Sequence, residues 1–240
     1  MRNIVLSKRL QKVADFMSPS CVICDVGCDH GYMSIYLIQK KLANKVLAMD
    51  INKGPLERAR ENINNLNLEG QIETRLSNGL LALNLGEANS FLCAGMGGRL
   101  MIQIMKQSLE IIRLMDYFVL QPQSEINLVR KFIYEMGFYI IDEDMVYEPD
   151  AKKENRGQYY PIMKVGVGER KMPSEIELLY GPVLIRNKNL VLKQYIEYNR
   201  KNTQKILEQM KLNINSDKSI NRENELKSML AKMDEVRKIF

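Results

Sequence analysis

The chain reads as an α/β protein: a mostly parallel sheet with helices on both faces, followed by a C-terminal antiparallel helical hairpin. Three observations predict it. Short apolar runs ending in turn residues alternate with helix-period segments through the first part of the 240 residues, the pattern of repeated strand–helix–strand crossovers. Two strand-like runs around a polar loop then follow, the pattern of a closing hairpin. Beyond Pro173 the strand signals fade, and Lys, Glu and Asn fill two long helical patterns.

The elements follow in order. MRNIVLSKRLQKVADFM has helical spacing at Ile4, Val5, Leu10, Val13 and Phe16. Charges interrupt it, so it lacks the continuous apolar core of a signal peptide. No apolar run approaches a membrane span, and a cytoplasmic chain without a membrane partner is expected. Val22 to Leu37, VICDVGCDHGYMSIYL, is a strand ending at Asp25, a glycine-bearing turn, and a helix from Tyr32. KVLAMDIN is a second strand ending in Asp50, and GPLERARENINNLNL a helix with Pro55 in its first turn. QIETRLSNGL is a third strand running into a loop, and NSFLCAGMGG a fourth ending in glycines. RLMIQIMKQSLEIIRLM carries helical spacing, DYFVLQPQ is a fifth strand, and EINLVRKFIYEMGF a helix. YIIDEDMVYEPDAKKENRGQYYPIMKVGVG holds the two final strands. In the tail, Leu192, Ile196, Ile206 and Met210 mark one apolar stripe, and Leu226, Met229, Met233, Val236 and Phe240 another, with NINSDKS between. The methionines there read as core filling. The change of character divides the chain into residues 1–168 and 169–240.

Composition narrows the class. A hydrophobic fraction of 45% suits a globular core. The net charge of +6 is unevenly spread: residues 169–240 hold 15 Lys/Arg against 10 Asp/Glu, the rest 20 against 19. The basic tail suits a polyanion such as RNA, although a solvated helical face accounts for the same charge. Cys21 and Cys24 have a C-x-x-C spacing. Residues three apart on a strand point to opposite faces, and the chain has one histidine, so no metal site is expected. The cysteines read as small buried hydrophobes, with Cys28 beside the ligand.

In this topology four strand ends converge on one crevice. At the first, Gly27 and Gly31 keep the frame of the Gly-x-Gly-x-Gly loop that binds S-adenosylmethionine, and Asp25 reaches the cofactor's ammonium. Asp29 and His30 fill the middle of that loop, where a generic cofactor loop requires neither. They are candidates for the methyl-transfer edge, with Tyr32 or His30 packing on the base. Capping of the following helix by His30, and a left-handed backbone at Asp29, are the plain structural alternatives. At the second, Asp50 followed by Ile51 suits a pair of ribose hydroxyls. At the third, Asn78 and Gly79 suit an adenine edge. At the fourth, Ala94 and Gly95 lie beside the departing methyl group, and Met96, Gly97, Gly98 and Arg99 face the substrate. Gly-Met-Gly-Gly offers no side-chain acceptor for an exocyclic amine. A ring nitrogen needs no proton removed before attack, so positioning and electrostatics carry the catalysis.

Asp-Val-Gly-Cys-Asp-His-Gly-Tyr, Ala-Gly-Met-Gly-Gly, the Leu-Gln-Pro of residues 120–122 and Gly181-Pro182 together resemble the bacterial tRNA (adenine-22-N1)-methyltransferases, the TrmK family. The resemblance runs in order over nearly the whole chain. It implies a Rossmann-like class I methyltransferase fold with a coiled-coil-like C-terminal domain. It also implies methyl transfer from S-adenosylmethionine to N1 of an adenine in the D-arm region of tRNA. Asp25, Gly27 and Asp50 then hold the cofactor, with Asp29, His30 and Tyr32 at its edge, and no obligate protein partner is expected. One position departs: Ser77-Asn78-Gly79-Leu80 stands where the family has Gly-Asp-Gly-Leu, so Asn78 keeps an acceptor and loses the charge. Two other readings stay open. One is a methyltransferase of the same fold acting on another RNA position or a small molecule. The other is an NAD-dependent oxidoreductase, which would put Asp29 against a pyrophosphate.

Overall fold

The computed structural model describes residues 3–150, 157–211 and 217–240. Its contacts divide the chain into two compact units, Met1–Met172 and Pro173–Phe240; the boundary read from sequence at residue 168 lies slightly earlier.

In the first unit seven strands form one sheet: β1 (Ser20–Val26), β2 (Ala43–Asp50), β3 (Ile72–Leu76), β4 (Ser90–Met96), β5 (Tyr117–Pro122), β6 (Phe138–Pro149) and β7 (Gly157–Val167). Their order is β3-β2-β1-β4-β5-β7-β6. The first five run parallel, and β7 inserts antiparallel between β5 and β6. Ile23, Cys24, Val26 and the whole run from Val46 to Met49 are buried, because a parallel sheet is covered on both faces. The cover comes from α2 (Tyr32–Gln39) and α3 (Lys53–Asn64) in the β1→β2→β3 crossovers. The other helices are α4 (Gly98–Gln107) and α5 (Leu109–Ile112) between β4 and β5, and α6 (Ile126–Glu135) after β5. Right-handed crossovers winding in opposite directions from β1 place these two sets on opposite faces. The winding reverses between β1 and β4, so a crevice opens outside their carboxyl ends. The α/β class, the mostly parallel sheet and the closing pair of strands match the expectation.

Two details differ. The N-terminal helix α1 is Lys8–Asp15, not a helix from Ile4, because the Ser7 hydroxyl accepts the Leu10 N–H at 3.3 Å and starts the helix there. Val5, ahead of the cap, is 92% exposed. The segment after β4 is two helices, broken at Ser108 (φ −135°, ψ 25°).

The second unit contains α7 (Glu175–Tyr180), α8 (Pro182–Arg186), α9 (Leu190–Lys211) and α10 (Asp217–Arg237). The two short helices escape a periodicity reading, since each spans less than two turns; α7 starts at a capping box of Ser174 and Glu177. Arg200 pairs with Asp234 at 2.6 Å and Arg237 with Glu197 at 2.7 Å, so α9 and α10 run antiparallel. The buried stripe of α9 is Leu192, Ile196, Thr203 and Leu207, whereas Ile206 is 44% exposed. At 3.6 residues per turn, residue 207 returns to within about 20° of residue 196, and residue 206 sits about 80° away. On α10 the buried residues are Leu226, Met233 and Val236, and Met229 faces solvent. Most of NINSDKS lies outside the described residues. Among those described, no helix is long and apolar enough to cross a membrane.

Candidate functional site

The crevice at the β1/β4 reversal is a cleft of about 480 Å³, within the size range of small-molecule sites. Asp25, near the end of β1, is 2% exposed. Its Oδ2 accepts the Ser34 hydroxyl at 2.6 Å, and the carboxylate also accepts the Ser34 backbone N–H. The acid thereby serves the first turn of α2, whose N-cap is Gly31 (φ +73°) with no side chain to do so. The Asp25 carboxyl is pushed up to about 6: burial raises it most, the Ser34 bonds pull it down, and the nearby charge of Asp50 adds to the rise. The raised value means that the free protein binds a proton more tightly than the unfolded chain. Asp25's contribution to stability therefore falls as pH rises through about 4 to 6. A cationic ligand facing Asp25 needs the ionised form, so its affinity should drop roughly tenfold per pH unit below about 6. Calorimetric titration from pH 5 to 8 checks this, and Asp25→Asn should flatten the profile.

Asp50 closes the other side. Its Oδ1 accepts the Asn52 N–H at 2.8 Å and its Oδ2 the Asp29 N–H at 3.2 Å. Asp29 stands at φ +48°, in the left-handed region that the glycine frame of the loop requires. Its side chain is 66% exposed, 3.6 Å from His30 Nε2. The His30 ring stacks on Tyr32 with centroids 5.7 Å apart, and the His30 carbonyl accepts Asn62 Nδ2 at 3.0 Å. His30 is therefore not the helix cap; Gly31 is. Gly27 (φ +76°) allows a close approach, since a Cβ there would lie 2.3 Å from Met96 Cε.

At the third strand end, the buried Ser77 hydroxyl donates to the Gly79 carbonyl at 2.8 Å and accepts the Ala82 N–H at 3.1 Å. That turn sets the exposed Asn78 on the cleft wall. At the fourth, the β4–β5 register shifts between Ala94 and Met96. This bulge turns Gly95 (φ +81°) into the cleft. Gln121, fully buried, accepts the Gly95 N–H at 3.2 Å.

One cleft thus gathers Asp25, Gly27, Cys28, Asp29, His30, Tyr32, Asp50, Ile51, Asn78, Gly79, Ala94, Gly95 and Met96. Four residues singled out from sequence do not line it. Gly31 packs on Ala59, Gly97 and Gly98 pack on Ser124, and the Arg99 side chain is 80% exposed, 3.3 Å from Glu125. Sequence reasoning missed Arg9, Leu10, Leu100, Ile104 and Gln123, which do line it. For Arg9 and Leu10 the Ser7 cap was a usable signal for the helix, but nothing local says where that helix docks. Cys21 is exposed, while Cys24, Cys28 and Cys93 are buried. Burial and then Asp25 push the Cys93 thiol up to about 12, so it is no thiolate nucleophile at neutral pH. Among the described residues no three His, Cys, Asp or Glu side chains group as a metal site would.

The chemistry on offer is recognition of a zwitterionic nucleoside: buried and half-exposed carboxylates, an amide, and glycine backbone that allows close contact. Comparison with known proteins points the same way. Residues 6–163 match the family model described as "Methyltransferase domain". The tRNA (adenine(22)-N(1))-methyltransferase of Bacillus subtilis (strain 168) is 28% identical over 98% of this chain and 98% of its own length. Among solved structures, the B. subtilis M1A22 tRNA methyltransferase TrmK superposes with a TM-score of 0.84 at 27% identity, covering 98% of this chain and all of that one. M. capricolum TrmK, in complex with the cofactor product S-adenosyl-homocysteine, superposes with a TM-score of 0.82 at 27% identity over 98% of both chains.

Proposed function

The chain belongs to the methyltransferase-domain family, and from that premise we propose that it methylates N1 of adenine 22 of tRNA with S-adenosylmethionine. The observation that carries this reading is the meeting of Asp25, Asp50, Asn78 and Gly95 in one cleft beside Asp29, His30 and Tyr32. The end-to-end likeness to tRNA (adenine-22-N1)-methyltransferases supports the substrate. When bound, S-adenosylmethionine supplies an electrophilic methyl group on its sulfonium.

The chain's own residues do the rest. Asp25 takes the ammonium of the cofactor, Asp50 its ribose hydroxyls, and Asn78 the edge of its adenine. The backbone of Ala94, Gly95 and Met96 borders the point of transfer, with Gly97 and Arg99 just beyond on the substrate side. The His30–Tyr32 stack offers a flat surface to the target base. Asp29 stabilises the positive charge that appears on the adenine ring as N1 gains a methyl group. No base is needed, because N1 carries its own lone pair. The second unit, with its excess of Lys and Arg, contacts phosphates of the D-arm region.

Two measurements test the reading. N1-methyladenine blocks the Watson–Crick edge, so a transcribed tRNA treated with enzyme and S-adenosylmethionine should stop reverse transcription at position 22. A transcript with guanosine at that position should not be modified. Methylation elsewhere would redirect the substrate assignment. Asp29→Ala should lower turnover by roughly tenfold to a hundredfold, as loss of one electrostatic stabiliser does. Glu225→Ala, on α10, should leave turnover nearly unchanged. Equal losses in both variants would remove Asp29 from the site of transfer.

A further inference from the structure

We propose that Gln123 reads the Hoogsteen edge of the target adenine, accepting from its N6 amine and donating to its N7. The assignment rests on the N1-methylation reading of the cleft. Around the adenine ring, N1 has the C2–H on one side and the N6 amine on the other, with N7 beyond the amine. A base that turns N1 toward the departing methyl group therefore carries N6 and N7 just past the point of transfer. The amide of a glutamine matches that pair of atoms with one acceptor and one donor. Neither bond uses the N1 lone pair.

The position fits. Gln123 is exposed and lines the cleft together with Gly95 and Met96. A Cβ built on Gly95 would lie 3.8 Å from its amide nitrogen, so the side chain stands beside the bulge that borders the point of transfer. Its backbone is fixed as well. Gln123 directly follows β5, and its N–H donates to the Met96 carbonyl at 2.8 Å. The next residue, Ser124, accepts the Gly98 N–H at 3.2 Å, and Glu125 pairs with Arg99 at 3.3 Å. The turn that carries Gln123 is thus fastened to the loop after β4 before any base arrives.

The other acceptors around that point are committed. The Met96 carbonyl takes the Gln123 N–H. Gln121 Oε1 takes the Gly95 N–H at 3.2 Å and an Arg9 N–H at 2.5 Å. Asp25 serves Ser34, and Asp50 holds Asn52 and Asp29. The Gln123 amide, by contrast, has no hydrogen-bond partner among the described residues. Since Gly-Met-Gly-Gly brings no side-chain acceptor for an exocyclic amine, that task falls to the turn after β5. The bond also strengthens as the reaction proceeds. Positive charge spreads onto N6 as N1 takes the methyl group, so the N6–H becomes a better donor in the transition state. Loss of the amide should therefore appear in kcat as well as in KM.

Transcribed tRNAs carrying adenosine, 7-deazaadenosine or purine ribonucleoside at position 22 test the edge one group at a time. The second has a C–H in place of N7, and the third lacks the N6 amine. For each transcript, the ratio of wild-type to Gln123→Ala kcat/KM cancels the intrinsic reactivity of N1. On adenosine the ratio should be about tenfold to a hundredfold, the range of a bidentate base contact. It should shrink severalfold on each analogue, because the wild type then has one bond fewer to lose. S-adenosylhomocysteine should bind Gln123→Ala within about twofold of wild type by calorimetry. The same ratio on all three transcripts would overturn the assignment in favour of a contact elsewhere on the RNA. An unchanged kcat/KM on adenosine would overturn it outright. A loss of S-adenosylhomocysteine affinity as large as the loss of kcat/KM would overturn it in favour of a cofactor contact. If the wild-type chain bound S-adenosylhomocysteine but left adenosine 22 unmodified, the substrate reading itself would fall and this assignment with it.

Discussion

Replacing Asp50 with alanine is expected to lower the affinity for S-adenosylhomocysteine by at least about a hundredfold, the largest loss of any single side chain in the cleft. Two losses add. The carboxylate is the acceptor placed for the ribose hydroxyls, and hydrogen bonds to a charged group contribute about 1.5–3 kcal/mol each. The same two oxygens hold the N–H groups of Asn52 and Asp29, so alanine also releases the loop that carries Asp29 and His30. Asp50→Asn should fall between, since an amide presents one acceptor where the site uses two. A second reading accompanies the first. Because the charge of Asp50 helps raise the Asp25 carboxyl, its removal should move the pH dependence of any residual binding to lower pH. Calorimetric titration at several pH values measures both effects. An Asp50→Ala protein that binds within about threefold of wild type would remove Asp50 from the cofactor site.

Asp50 was legible from sequence for a physical reason. Its signal is local: an acid where an apolar run stops, at a fixed distance from the glycine turn of the first strand. Asp25, Gly27, Asn78 and Gly95 are legible in the same way, because in a doubly wound sheet the carboxyl ends of the parallel strands lie along one edge, where the crevice opens. What escapes is whatever depends on docking. Arg9 reaches the cleft because α1 lies against β5, β6 and β7, and Gln121 matters because its buried oxygen links Arg9 to Gly95. No spacing along the chain encodes that triangle. The stripe on α9 was missed by one residue for a related reason: Ile206 and Leu207 are equally apolar, and Thr203, a buried member of the stripe, is not apolar at all. The partner surface selects among them.

The glycines after β4 show the same limit most sharply, and they supply the second large expectation. In Gly-Met-Gly-Gly the sequence suggests room for a base at every glycine. The structure separates them. A Cβ on Gly98 would lie 2.3 Å from the Ser124 carbonyl oxygen, 3.2 Å from that of Glu125 and 3.0 Å from Val129 Cγ2. Two of these are backbone atoms in the turn that enters α6, where Glu125 already stands at φ +44°. That turn cannot yield cheaply, so Gly98→Ala should cost about 3 kcal/mol of stability, the upper range of overpacking. For a unit of this size the melting temperature should fall by roughly 5–10 °C. Gly27→Ala makes the opposite pattern. Its Cβ would meet the flexible end of Met96, and the left-handed backbone adds a strain of only about 1–2 kcal/mol. The new methyl group would, however, stand where backbone approaches the cofactor. Gly27→Ala should therefore lose less melting temperature than Gly98→Ala, roughly 2–6 °C, and bind S-adenosylhomocysteine poorly, while folded Gly98→Ala should bind it nearly normally. Thermal melts paired with calorimetry distinguish the two. A Gly98→Ala protein with wild-type stability and no methylation of tRNA would return Gly98 to the substrate surface. The expected outcome makes it the joint between β4 and α6, on which the cleft's fourth wall is built.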